Sequence, residues 1–129
     1  MDASMARHIL VVDDDRDVRD AIVETLIDHG FAATAANGSV AMREIFAVGG
    51  PPINAIVLDA WMSGEANAAL ARLAEFFRLP VVMISSCHEF MRFAADHGLQ
   101  LLHKPFHAAE LIQAVESALA SGQPGQRKG

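Results

Sequence analysis

Residues 9–15 read Ile9-Leu10-Val11-Val12-Asp13-Asp14-Asp15, four aliphatic residues running without a break into three carboxylates. An apolar run of that length with no polar alternation is the pattern of a strand buried on both faces, as in parallel sheets. It recurs at residues 53–58, where Ile56-Val57-Leu58 leads into Asp59, and at 81–84, where Val81-Val82-Met83-Ile84 leads into Ser85 and Ser86. Each run stops at a polar cluster, and the sequence between runs has a different period.

Between the first two runs, Val18, Ala21, Ile22, Thr25, Leu26 and His29 recur at helical spacing, with Asp15 placed to cap the start and Gly30 to end it. A less apolar strand at 31–36 follows. Ser39 is positioned to cap a second helix carrying Val40, Met42, Ile45 and Phe46, which Gly49, Gly50, Pro51 and Pro52 terminate. Residues 66–77 predict a third helix, with Phe76 and Phe77 giving one buried and one exposed ring, and Pro80 turns Leu79 toward extended backbone. A short fourth helix at 89–97 stops at Gly98. A last strand occupies 99–103, and Leu111, Ile112, Val115, Ala118 and Leu119 form the apolar stripe of a fifth helix. Strand and helix alternate five times, which selects an α/β domain over residues 1–120 with a parallel sheet covered on both faces. Residues 121–129, rich in Gly and Gln and basic, predict a flexible tail.

Composition narrows the function classes. The chain has 129 residues, 52% of them hydrophobic and 20% charged, which is the balance of one packed globule. Ten Lys and Arg against sixteen Asp and Glu give a formal net charge of −6, which argues against nucleic acid and anionic membrane as partners. Cys87 is the single cysteine and forms no internal disulfide, and residues 1–7 lack the apolar stretch of a signal peptide, so a cytoplasmic location is expected. His8, His29, His88, His97, His103 and His107 show no ligand spacing that a second motif supports.

In a parallel sheet, ligands bind beyond the carboxyl ends of the strands. The residues found there are Asp13, Asp14 and Asp15, then Asp59, then Ser85 and Ser86, then Lys104 followed by Pro105. Any one of these has an ordinary explanation as a cap or a solvated charge, and for Asp15 that explanation is preferred. For the set it fails, because several carboxylates at one edge repel one another and require a cation. Hard oxygen ligands of this kind suit Mg²⁺.

At this point the sequence resembles the receiver domain of two-component response regulators, from Arg7 to about Ala120. The matching pieces are Ile9 through Asp15, Ile56-Val57-Leu58-Asp59, Pro80-Val81-Val82-Met83-Ile84-Ser85, and Lys104-Pro105-Phe106, in this order and spacing. The resemblance implies a flavodoxin-like, doubly wound five-stranded parallel sheet of order 2-1-3-4-5 with five helices. It implies that Asp59 is the phosphoacceptor and that Asp13, Asp14, Asp59 and the backbone carbonyl of Trp61 bind Mg²⁺. It further implies that Ser85 binds a phosphoryl oxygen and that Lys104 pairs with the phosphoryl group.

Three departures from the family pattern bear on output. The Asp-x-x-Met-Pro segment appears as Asp59-Ala60-Trp61-Met62-Ser63, and only 20 residues separate Asp59 from Pro80. Only 18 lie between Ser85 and Lys104. The position three residues before the lysine, usually Tyr or Phe in the family, is Leu101, which cannot reproduce an aromatic ring swinging toward Ser85. The reading that results is a stand-alone receiver taking a phosphoryl group from a histidine kinase or phosphotransfer protein and acting on an unidentified downstream protein. Its only catalysis is of its own phosphorylation and dephosphorylation. Two alternatives stay open: an interaction module that works without phosphorylation, and a Mg²⁺-dependent phosphatase. Against the phosphatase stands Trp61, at the place where haloacid-dehalogenase-type enzymes carry a second Asp.

Overall fold

In the computed structural model the described residues are 6–13, 15–38, 40, 41, 43, 52–59, 69, 72, 74–76, 78–85, 95, 96 and 99–120. Five strands and two complete helices fall within them: β1 (His8–Val12), α1 (Arg16–Asp28), β2 (Ala32–Ala36), β3 (Ala55–Asp59), β4 (Val81–Ser85), β5 (Gln100–His103) and α2 (Ala108–Ala120). The sheet is parallel throughout, in the order β2-β1-β3-β4-β5. The strand order and parallel pairing expected from the sequence are therefore observed. Of the five expected helices, the first and last are complete here; helical residues at 38, 40, 41 and 43, at 69, 72 and 74–76, and at 95 and 96 fall in the other three. The expected tail at 121–129 lies outside the described residues.

The two faces of the sheet are filled by alternate residues of the same strands. Ile9, Val11, Val57, Val82, Ile84 and Leu102 pack against Ile22 and Leu26 of α1 and Leu111, Ile112, Val115 and Ala118 of α2. Leu10, Val12, Ile56, Leu58, Val81 and Met83 face the other way, toward Ala41 and Ala74. Burial on both faces is why these strands carry unbroken apolar runs, and it leaves only their ends for chemistry.

Local signals set the helix ends. Asp15 accepts from the amides of Asp17 and Val18, at 3.0 and 3.3 Å, and so caps α1 as expected. Gly30 has φ +92° and donates to the Ile27 carbonyl, while Phe31 reaches back to Leu26. This is the Schellman ending that a residue in the left-handed region permits. The same pair of bonds, Arg78 to Glu75 and Leu79 to Ala74, ends the segment at 74–76, with Arg78 at φ 61° in the glycine position. One cap differs from expectation. Asn37, two residues before Ser39, accepts the Val40 amide at 3.1 Å, and Gly38 is already helical. An Asn side chain competes well for the cap, so the helix starts one half-turn earlier. Phe76 is the exposed ring; the side chain of Phe77 lies outside the described residues.

Candidate functional site

The carboxyl edge of the sheet gathers most of the residues singled out in the sequence. Asp13 directly follows β1, β3 ends at Asp59, β4 ends at Ser85, and all three residues are buried, with relative exposures of 0%, 1% and 3%. Asp59 stands beside Ile84 in the β3–β4 register, and Ser85 stands beside His103 in the β4–β5 register. The Lys104 amide continues that ladder by donating to the Ser85 carbonyl at 2.8 Å. Lys104 is thereby delivered to the edge, and its Nζ donates to Asp59 Oδ2 at 2.9 Å.

The two buried carboxyls differ sharply. Asp59 is ion-paired, with a cation that keeps a fifth of its side chain in water. Asp13 takes one hydrogen bond on Oδ1, from the Asp15 amide at 2.8 Å, and no donor reaches its buried Oδ2. Burial first, and then the adjoining Asp59 carboxyl, push Asp13 up to about 7; the Asp15 amide and the Lys104 charge act in the opposite direction. An orphaned, buried carboxylate oxygen beside a second carboxylate is an unmet requirement for a cation or a proton.

That requirement is the test of whether a divalent ion fits. Asp13 and Asp59 offer hard oxygen donors at one edge, and the free oxygen of Asp13 is suited to a small dication. Among the described residues no group of three or more His, Cys, Asp or Glu side chains assembles. Asp14 and Trp61, which the sequence also nominates, lie outside the described residues, as does Cys87. Leu101 is described: it is half-buried, stands beside Met83 and packs with the Leu10 and Val12 side of the core. A half-buried aliphatic residue thus stands at the position where the resemblance leads one to expect an aromatic ring.

The sequence reading missed Arg19. Its Nη1 donates to the Asp13 carbonyl at 3.1 Å, across the loop joining β1 to α1. The signal was available in its spacing, since Arg19 falls in the first turns of a helix whose cap, Asp15, is two residues from Asp13.

A doubly wound sheet with two acidic residues, a serine and a lysine at its carboxyl edge is the architecture of a receiver. The chain belongs to the response regulator receiver domain family, whose pattern it matches over residues 9–116. Members of that family are typically non-enzymatic signalling modules, and they usually bind Mg²⁺. Among particular relatives, it is 35% identical over 123 residues to the nitrogen assimilation regulatory protein NtrX of Azorhizobium caulinodans, covering 89% of this chain and 26% of that one. It is 31% identical over 118 residues to protein PetR of Rhodobacter capsulatus, covering 87% and 48%. The chain thus spans from a quarter to about half of these relatives. The crystal structure of a response regulator receiver protein from Sinorhizobium medicae superposes with a TM-score of 0.77 at 30% identity, covering 92% of this chain and 98% of that one. No helix among the described residues is long and apolar enough to cross a membrane.

Proposed function

We propose that this chain is a phosphoacceptor in a two-component relay. Asp59 takes a phosphoryl group from the phosphohistidine of a histidine kinase or phosphotransfer protein in the cytoplasm, and the phosphorylated chain acts by binding another protein. The observation that carries this reading is the ion pair of 2.9 Å between buried Asp59 and part-exposed Lys104, beside the orphaned oxygen of Asp13.

A carboxylate attacks phosphorus only where the charges on both partners are offset and the nucleophile is held still. Burial and the Lys104 bond hold Asp59. In the transfer, a bond forms between an Asp59 oxygen and phosphorus, the donor's P–N bond breaks, and the departing imidazole nitrogen takes up a proton from solvent. Lys104 stays at the edge as a fixed cation, able to pair with the phosphoryl oxygens as they replace the carboxylate charge. Ser85 offers a rotatable hydroxyl donor at the neighbouring strand end. Asp13, Asp14, Asp59 and the Trp61 carbonyl would hold Mg²⁺, which when bound neutralises charge on the carboxylate and the phosphoryl oxygens. The acyl phosphate is then lost to water at the same site, so the chemistry is confined to the chain itself.

A second reading, binding independent of phosphorylation, is favoured by Leu101, whose packing beside Met83 supplies no ring to carry the signal outward. Intact-mass measurement after incubation with Mg²⁺ and acetyl phosphate separates the two. One added phosphoryl group in the parent and none in Asp59→Asn supports the phosphoacceptor; no addition in either supports the second reading.

A further inference from the structure

Two buried side-chain polar atoms among the described residues lack a hydrogen-bond partner, Asp13 Oδ2 and Arg19 Nε, and their residues are bonded to each other. Three ties converge on Asp13. Its amide donates to the Ala36 carbonyl of β2 at 3.2 Å, its Oδ1 accepts from the Asp15 amide at 2.8 Å, and its carbonyl accepts from Arg19 Nη1 at 3.1 Å. The first belongs to the sheet and the second to the loop itself. Only the third reaches in from a helix side chain.

A carbonyl just past a strand end has no ladder partner and is free to turn, and with it turns the aim of the side chain on the same residue. The Arg19 bond removes that freedom. Its cost is visible in the same guanidinium: a buried Nε–H without an acceptor is a desolvation penalty that a rotamer extended into water would avoid. The buried rotamer is therefore retained for the bond it makes. Arg19 bonds the Asp13 carbonyl and not its carboxylate, so the tie acts on the backbone that carries the carboxylate.

We propose that Arg19 is a positioning residue for the cation site: by holding the Asp13 carbonyl it fixes the carboxylate of Asp13 toward the divalent ion. This rests on the assignment of Asp13 as a cation ligand made under the proposed function. Arg19 is placed to act through Asp13, whose carbonyl it holds. Residues one step removed from a metal that orient its ligands typically control affinity by about ten- to a hundredfold.

The test uses the full chain with Arg19→Met, with Arg19→Gln as a second variant whose shorter side chain cannot reach the carbonyl, and with Arg19→Lys as the conservative rescue. Two quantities are read: Mg²⁺ affinity by calorimetric titration, and hydrogen exchange of the Asp15 amide in the metal-free protein. Arg19→Met and Arg19→Gln should weaken Mg²⁺ roughly tenfold and speed Asp15 exchange, while the amides in the interior of α1 exchange as in the parent. Arg19→Lys should recover part of both. An unchanged Mg²⁺ affinity in either variant, or a uniform rise in exchange along α1, overturns the proposal and leaves the phosphoacceptor reading standing. A parent chain that binds no Mg²⁺ overturns both the site assignment and the proposal, and acetyl phosphate labelling then tells whether Asp59 is still the acceptor.

Discussion

The two edges of the sheet are built to opposite ends. At the amino edge the polar groups are matched: the His8 amide donates to Asn54 Oδ1 at 2.7 Å, the Asn54 amide returns a bond to the His8 carbonyl at 2.8 Å, and Ala32 and Ile56 donate to the carbonyls of Arg7 and Pro80. Gly30 closes α1 there with both Schellman bonds made. At the carboxyl edge Asp13 and Asp59 are buried side by side, and among the described residues one lysine pairs with Asp59 and one oxygen of Asp13 is left without a donor. The first edge secures the fold. The second carries an electrostatic cost that a bound cation would offset, the arrangement expected where charge is to be bound.

The largest effect that can break this contrast is one of pH. Asp13 is raised from 3.8 to about 7 in the folded chain, so between these values the native state retains a proton that the unfolded state has released. Stability therefore falls as pH rises through this window, by up to about 4 kcal/mol for a shift of that size, and the loss is complete above the folded value. Urea unfolding in a chelator across pH 4–8 should show this decline in the parent and its absence in Asp13→Asn. An Asn keeps the acceptor for the Asp15 amide and offers an N–H₂ where Oδ2 lacks a donor. The six histidines are common to both chains and cancel in the difference. Mg²⁺ at ten times its dissociation constant should return about 1.4 kcal/mol to the parent, and much less to the variant.

Lys104→Met removes the lysine ion-paired with Asp59 and leaves the buried Asp13 and Asp59 carboxyls without it. The expected loss is about 2–3 kcal/mol, less than for a fully buried pair because Lys104 is partly in water. Adding Asp59→Asn to it should recover most of that loss in equilibrium unfolding at neutral pH. A single variant as stable as the parent would show that the pair contributes nothing to the contrast.

At the amino edge, Gly30→Ala meets no atom within 4 Å of the added carbon but must hold φ +92°. Its cost, about 1–2 kcal/mol from the left-handed backbone alone, should be the same at every pH and with or without Mg²⁺. A cost that changed with Mg²⁺ would mean that the two edges are coupled. The smallest effect is at the start of α2. Glu110 Oε1 already accepts the His107 amide at 2.7 Å, which is half of a capping box. His107→Ser should complete it and raise stability by about 0.5–1 kcal/mol, with the pH response of the parent intact.

Three unbroken apolar runs that each end in a polar residue, with the strand–helix alternation around them, were enough, read from the sequence, to give five parallel strands and to name Asp13, Asp59, Ser85 and Lys104 as neighbours. The reason is geometric: in a parallel sheet all carboxyl ends lie on one side, so residues far apart in the chain share an edge by topology alone. The Asp15 and Gly30 helix ends were legible for a similar reason, because capping is decided within a few residues. What the sequence left open depends on distances across the fold. That Asp59 rather than Asp13 receives the Lys104 bond follows from the β4–β5 register and the Ser85–Lys104 ladder. That Asp13 keeps a bare oxygen, and that Arg19 turns inward to its carbonyl, follow from where α1 sits against the end of β1. No local pattern encodes the bare oxygen, and the spacing of Arg19 from its helix cap nominates that side chain without fixing its partner; burial and the packing of one helix on one strand end decide both.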